Sequence, residues 1–172
     1  QEALEFLSQR FGIPLRYEKG DPTKPFVKSI RAELHAINEE AKKWFMQKLF
    51  EDSVESKVAR EYWLEERKFD QPTSEAFGIG YAPTNEFELA DYLLQKSFSK
   101  EVLSKSGLFR EKLRQGKLVS SFQGRLMLPI YEKLGRICGF TARKLSVTPE
   151  WGDKKAPKYI NSPETTIFQK SQ

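Results

Sequence analysis

Two adjoining stretches constrain the fold more than anything else in the chain: Phe122–Tyr131 and Arg136–Arg143, separated only by Glu132-Lys133-Leu134-Gly135. Both are rich in β-branched and aromatic residues, and the polar four-residue gap with glycine in its last place is the pattern of a longer hairpin loop. Gly135 supplies a backbone conformation that a branched residue resists. Pro129 has no N–H to give to a ladder, so its strand is expected to lie at an edge or to bulge there. Such a hairpin presents Arg125, Arg136 and Arg143 on a stiff support. Beyond it Lys154, Lys155, Lys158 and Lys170 are interleaved with Trp151, Tyr159 and Phe168. Cations alternating with rings suit single-stranded nucleic acid, where phosphates take the charge and unstacked bases take the rings. The same pattern also fits a basic surface hairpin whose aromatics turn into a core.

The net charge of +5 conceals an asymmetry. From Arg110 onward there are 13 Lys/Arg against 5 Asp/Glu, a net of +8, whereas Gln1–Phe109 holds 16 against 19, a net of −3. A local excess of this kind points to a polyanion: nucleic acid, a nucleotide or a membrane surface. The membrane is disfavoured because the charges sit among strand and loop signals and not along an amphipathic helix. With 38% hydrophobic and 31% charged residues over 172 positions, one globular domain or two small subdomains can bury a core. No apolar run reaches bilayer length and no signal-peptide pattern appears, so a cytoplasmic protein is expected. Cys138 and His35 are the single cysteine and histidine. They permit no internal disulfide and no Cys/His zinc site. Cys138, on an apolar strand, reads as a small buried hydrophobe.

Ahead of the hairpin the signals are helical. Leu4, Leu7 and Phe11 are spaced for a helix over Glu2–Arg10, followed by a proline-containing linker at Asp21–Pro25. A long amphipathic helix is expected over Ile30–Phe50, with Leu34, Ile37, Ala41, Trp44, Phe45 and Leu49 on its core face and His35 off that stripe at the surface. A second helix over Val54–Arg67 uses Val58, Tyr62 and Trp63. Asp70 caps a short helix to Ala76, and Phe77–Ala82 reads as a strand. Gly78-Ile79-Gly80 is not a dinucleotide fingerprint, because its third glycine would fall on Pro83 and no helix opens there. Asn85 and Glu88 form a capping pair for a helix over Glu86–Lys96. Ser99 caps another that ends at Gly107. Phe109–Ser121 is a basic connection, Leu145–Lys158 a loop, and Lys158–Asn161 a short strand. Helices followed by hairpin strands define an α+β class: a helix-rich part packed on a small antiparallel sheet containing the basic hairpin.

The run Phe122-Gln123-Gly124-Arg125-Leu126-Met127-Leu128-Pro129-Ile130, the second strand ending Gly139-Phe140-Thr141-Ala142-Arg143, and above all Pro157-Lys158-Tyr159-Ile160-Asn161-Ser162-Pro163-Glu164-Thr165 closely resemble the RNA polymerase core of bacterial, DnaG-type DNA primases. Ala59–Arg67, Phe77–Pro83 and Ser106-Gly107-Leu108 extend the resemblance upstream. It implies a template- and nucleotide-binding segment lying just before a Toprim domain. Residues 1–25 would trail from a zinc-binding module, and 26–172 would be the N-terminal subdomain of the core, helical to about 110 and built on the basic hairpin from about 111. By resemblance, Arg67, Arg125, Arg143, Tyr159, Asn161 and Lys170 contact template or nucleotide, and Lys158 contacts the nucleotide phosphates during catalysis. The family usually has glycine where Lys68 and Ser171 stand, which bears on Arg67 and Lys170.

The implied chemistry is nucleotidyl transfer, making RNA primers from ribonucleoside triphosphates on single-stranded DNA at replication forks. Two-metal catalysis needs converging carboxylates, but Asp21, Asp52, Asp70, Asp91 and Asp153 are scattered, with no D-x-D pair. Mg²⁺ or Mn²⁺ is therefore expected through the Toprim domain, Zn²⁺ through the N-terminal module, and the replicative helicase through a C-terminal domain, the chain being a fragment inactive alone. The competing reading is a non-catalytic single-strand-binding or helicase-recruiting module.

Overall fold

The computed structural model describes residues 29–110 and 112–169. The helix expected at 2–10, the linker at 21–25 and Lys170 lie outside them.

Helix α1 spans Ile30–Leu49 and buries Leu34, Ile37, Ala41, Trp44, Phe45 and Leu49, the stripe that the 3.6-residue period demands. His35 is buried with them, 9% exposed, rather than at the surface. Its Nδ1 lies 3.0 Å from the Ile137 carbonyl oxygen, toward which Asn38 Nδ2 also points at 3.5 Å. An apolar stripe alone understates how much of a helix is covered when a hairpin end packs beside it and brings a carbonyl that needs a donor.

Helix α2, Val54–Arg60, is capped by Ser53 Oγ, which accepts from Ser56 N at 3.0 Å. It runs on through a widened turn over Glu61–Glu66, closed by the bond from Arg67 N to the Tyr62 carbonyl, 2.9 Å. Helix α3, Gln71–Phe77, starts at Asp70, whose carboxylate accepts from Thr73 N at 2.7 Å. It ends at Gly78 with φ +77°, so Phe77 is the last helical residue and strand β1 is confined to Gly80–Ala82. Helix α4, Glu88–Gln95, begins two residues later than expected. Asn85 Oδ1 accepts from Phe87 N, 3.0 Å, in a local turn, and Glu88 reaches Lys48 Nζ at 3.6 Å instead of capping. Helix α5, Lys100–Ser104, takes its cap from Ser99 Oγ.

Strands β2 (Arg125–Tyr131), β3 (Ile137–Lys144) and β4 (Tyr159–Asn161) join β1 in an antiparallel sheet of order β1-β2-β3-β4. Strand β1 covers β2 only from Arg125 to Met127. Pro129 thus falls where the outer side of β2 has no partner, and the register shifts just beyond it, between Ile130 and Tyr131. Gly135 closes the turn at φ +84°.

Alternation splits the sheet into two faces. Ala82, Met127, Phe140 and Ala142 pack with α1, α4 and α5 in one core, where the Phe45 and Phe140 rings meet edge to face at 5.4 Å. Tyr81 and Leu126 pack on the other side with Leu49, Ala59, Trp63 and Leu145. Burial of each large side chain contributes about 2 kcal/mol. Cys138 is buried, with Sγ 3.4 Å from the Ile130 carbonyl, and burial pushes its thiol pKa up.

Helix and sheet come close at Gly80, where a Cβ would stand 2.5 Å from the Phe45 main chain. Gly80→Ala should therefore destabilise by about 3 kcal/mol. Gly135→Val, whose Cβ meets nothing within 4 Å, should cost only its backbone strain, about 1 to 2 kcal/mol. Urea melts of both variants check the ranking.

Desolvation lowers the His35 pKa from its usual 6.5, outweighing the Ile137 carbonyl; Arg136, Glu132 and Arg31 are the charges felt there. A histidine held neutral in the native state contributes stability fully above its unfolded pKa and loses it as pH falls below about 6.5 toward the lower folded value. His35→Gln keeps a donor for Ile137 without that titration. Urea melts between pH 5 and 8 should show a shallower decline in the variant.

Candidate nucleic-acid interface

The part of the sheet not covered by α2 carries the polar side chains. On β3, Thr141 and Arg143 share a face, and they lie directly opposite Asn161 and Tyr159 of β4. The period of two thus gathers three of the seven residues singled out above. Thr141 Oγ1 donates to Asn161 Oδ1, which leaves the Asn161 amide nitrogen as the group its exposed side chain can offer. Tyr159 is 55% exposed.

Arg143 is held by rings rather than by a carboxylate. Its guanidinium carbon is 5.1 Å from the Tyr62 ring centroid and 5.5 Å from that of Tyr159, and Nη1 donates to the Lys144 carbonyl. Its Nε is buried without a partner. Each cation–π contact is worth about 0.5 to 2 kcal/mol, more as water is excluded. A cleft of about 760 Å³ opens here, walled by Val58 and Tyr62 of the second helix and by Arg143, Lys144 and Leu145, with Glu61, Glu65 and Glu66 along its helical side.

Lys158 is exposed just ahead of β4, its carbonyl accepting from Lys144 N at 2.7 Å, so the main chain that carries it is pinned to β3. Arg67 is exposed at the end of the widened turn and is not among the residues lining the cleft. Lys68, at φ +60°, takes the left-handed conformation for which glycine is usual at a helix end, and Phe69 N bonds the Trp63 carbonyl at 3.2 Å.

Arg125 and Arg136 are not presented as a hairpin surface would present them. Arg125 falls on the face opposite Arg143, as its pairing with Lys144 requires, and is only 1% exposed. It donates from Nη1 to the Ala142 carbonyl at 3.3 Å, while Nη2 is buried without a partner. Desolvation and then the nearby Arg143 charge lower its pKa. It lines a second cleft, about 590 Å³, with Arg110, Arg114 and the exposed Trp151. Arg136 forks onto Glu132 across the turn, with Nη2–Oε2 at 3.0 Å and Nε–Oε1 at 3.2 Å.

The sequence reading missed Thr141 and the contact that Tyr62 makes with Arg143. Thr141 stands two residues before Arg143, which in a strand is enough to put both on one face. Tyr62 reads as core beside Trp63, yet neighbours on a helix are about 100° apart. Trp63 is buried, its Nε1 donating to Ser74 Oγ at 2.6 Å, and Tyr62, half-buried, packs at the margin of the same core while also meeting Arg143 in the cleft. Among the described residues no group of three or more His, Cys, Asp and Glu comes together as a metal site.

The open face of the sheet thus carries Arg143, Tyr159 and Asn161, with Tyr62 set against the arginine from the second helix. Residues 44–172 match the model of the DNA primase catalytic core, N-terminal domain, and the chain belongs to that family. A DNA primase of Streptomyces coelicolor is 38% identical over 171 residues, covering 99% of this chain and 25% of the relative. The chain thus spans about a quarter of the length of the curated relatives it matches. Among solved structures, the RNA polymerase domain of Mycobacterium tuberculosis primase DnaG, in complex with a double-stranded DNA oligomer bearing a 6-nucleotide overhang, is 37% identical with a TM-score of 0.72, over 82% of this chain and 41% of that one. A DnaG primase catalytic domain bound to single-stranded DNA is 29% identical with a TM-score of 0.62, over 81% and 40%.

Proposed function

We propose that this chain is the template- and nucleotide-binding N-terminal portion of a DNA primase that makes short RNA primers on single-stranded DNA in the cytoplasm of a bacterium. The observation that carries the reading is Arg143, in cation–π contact with Tyr62 and Tyr159 beside an exposed asparagine on the open sheet face, in a chain whose relatives include primase domains solved with DNA. In this reading residues 1–25 belong with a preceding zinc-binding module, and 26–172 form the N-terminal subdomain of the polymerase core.

The roles follow from chemistry. Arg143 takes a phosphate, its guanidinium having no carboxylate partner among the described residues. Tyr159 offers a ring for a base, and the Asn161 amide nitrogen donates to phosphate or base edge. Lys158 meets the incoming triphosphate and stabilises charge developing on the transferred and leaving phosphates. Arg67, exposed outside the cleft lining, adds a cation, and Lys170 is carried as a template or nucleotide contact on family resemblance alone. Arg125 acts from beneath the sheet, through the second cleft. The described carboxylates do not fit a two-metal centre, so Mg²⁺ or Mn²⁺ is assigned to the Toprim domain and no step is routed through metal here. Ribonucleoside triphosphates, the RNA primer and, through a further domain, the replicative helicase complete the set of partners.

Two measurements test the reading. The chain should bind a labelled single-stranded oligonucleotide with an affinity that falls linearly, in logarithms, as salt rises; binding indifferent to salt, or no binding at low salt, would overturn it. In a primase carrying this chain within its catalytic core, Lys158→Ala should slow primer synthesis by roughly a hundredfold while changing template affinity little. Full activity in that variant removes Lys158 from the site.

A further inference from the structure

The second helix does something at its C-terminal end that a regular helix would not. Over Glu61–Glu66 the turn widens to an i→i+5 pattern, a distortion that recurs at functional sites. Here it accompanies a division of labour between neighbours. Trp63 goes into the core, stacked on Phe69 at 4.1 Å and bonded to Ser74, while Tyr62 is placed against Arg143.

The surroundings of that contact make it more than packing. Glu61, Glu65 and Glu66 lie along the same cleft as Arg143. A guanidinium sharing a cleft with three glutamates has carboxylates to fork onto, and charge-assisted bidentate pairs are among the strongest polar contacts. Arg143 does not: its contacts are the two rings and the Lys144 carbonyl, and no ion pair joins it to any of the three. Lys144, the other cation on the cleft wall, is itself engaged by Glu150 at 2.7 Å.

We infer that Tyr62 is a positioning residue: by stacking on Arg143 it keeps the guanidinium from being captured by Glu61, Glu65 or Glu66, and so keeps one positive charge available to a nucleic-acid phosphate. This rests on the single-strand-binding reading above. The cation–π contact loses little when a phosphate arrives, because the ring takes the guanidinium face and leaves N–H groups at its edge to donate. A glutamate would take those edge groups and cancel the charge. Loss of the ring should therefore be felt as loss of a charge, although tyrosine carries none.

That gives a readout that a merely structural role would not move. Each phosphate contact on a single strand contributes about 0.7 to the slope of log affinity against log salt. Using the 172-residue chain and a fluorescein-labelled oligothymidylate, Arg143→Gln should lower the slope by about 0.7. Tyr62→Leu should lower it equally, with no further loss in the double variant, while Tyr62→Phe and Tyr62→Trp keep the wild-type slope. Replacing Glu61, Glu65 and Glu66 together by Gln in the Tyr62→Leu background should restore it. A wild-type slope in Tyr62→Leu, additive losses with Arg143→Gln, or no recovery in the glutamate-free background would overturn the inference while leaving the binding reading intact. A wild-type chain that does not bind would instead overturn that reading. Should Tyr62→Leu fail to fold, the Phe variant decides, since loss of slope there would show that the hydroxyl and not the ring face matters and would overturn the inference.

Discussion

Strand β3 is the constraint on which the rest depends. Its alternate residues Phe140 and Ala142 are buried against α1, and that burial, about 2 kcal/mol for a large side chain, fixes which way the strand faces. Thr141 and Arg143 then have no choice of side. A slip of one residue would bury the arginine and expose the phenylalanine, so the register that makes the core also makes the site. The pairing of Arg143 with Tyr159 and of Thr141 with Asn161 extends this to β4. The short β4 need only find its register on a strand already locked in place.

The two cores therefore have different standing. The one under α1 holds the sheet at a separation so close that Gly80 has no room for a side chain. The other, where Tyr81, Leu126 and Trp63 meet, brings the second helix to the site end of the sheet and delivers Tyr62. Glu55 secures that helix at its start, accepting from Tyr81 Oη at 2.7 Å and from Thr84 N at 2.9 Å. Burial alone would raise its pKa, and these donors more than reverse it.

Much of this was legible in the sequence because it is periodic. The stripe of α1, the hairpin with Gly135 at its turn, the Asp70 cap and the α+β class all follow from spacing and from residues with narrow backbone preferences. What was not legible depends on tertiary neighbours. His35 is buried because the start of β3 lies beside α1, and no pattern within α1 announces that. Arg125 is buried because it faces the side of the sheet opposite Arg143, which a list of basic residues does not reveal until the register is known. Asn85 reads as half of a capping pair, yet it bonds Phe87 N locally because the helix starts later. The widened turn at Glu61–Glu66 has no signature in composition, and with it went the contact of Tyr62 with Arg143.

In this proposal nucleic acid lies on one face of the sheet and α1, on the other side, is left as support. Amide chemical-shift mapping of the isotope-labelled chain during titration with a short single-stranded oligonucleotide tests it most directly. Shifts should be concentrated at Thr141, Arg143, Lys158, Tyr159, Asn161 and Tyr62, with the exposed positions of α1, such as Lys43 and Gln47, unmoved. Shifts centred on α1, or spread evenly over the basic surface with none at β4, would contradict it.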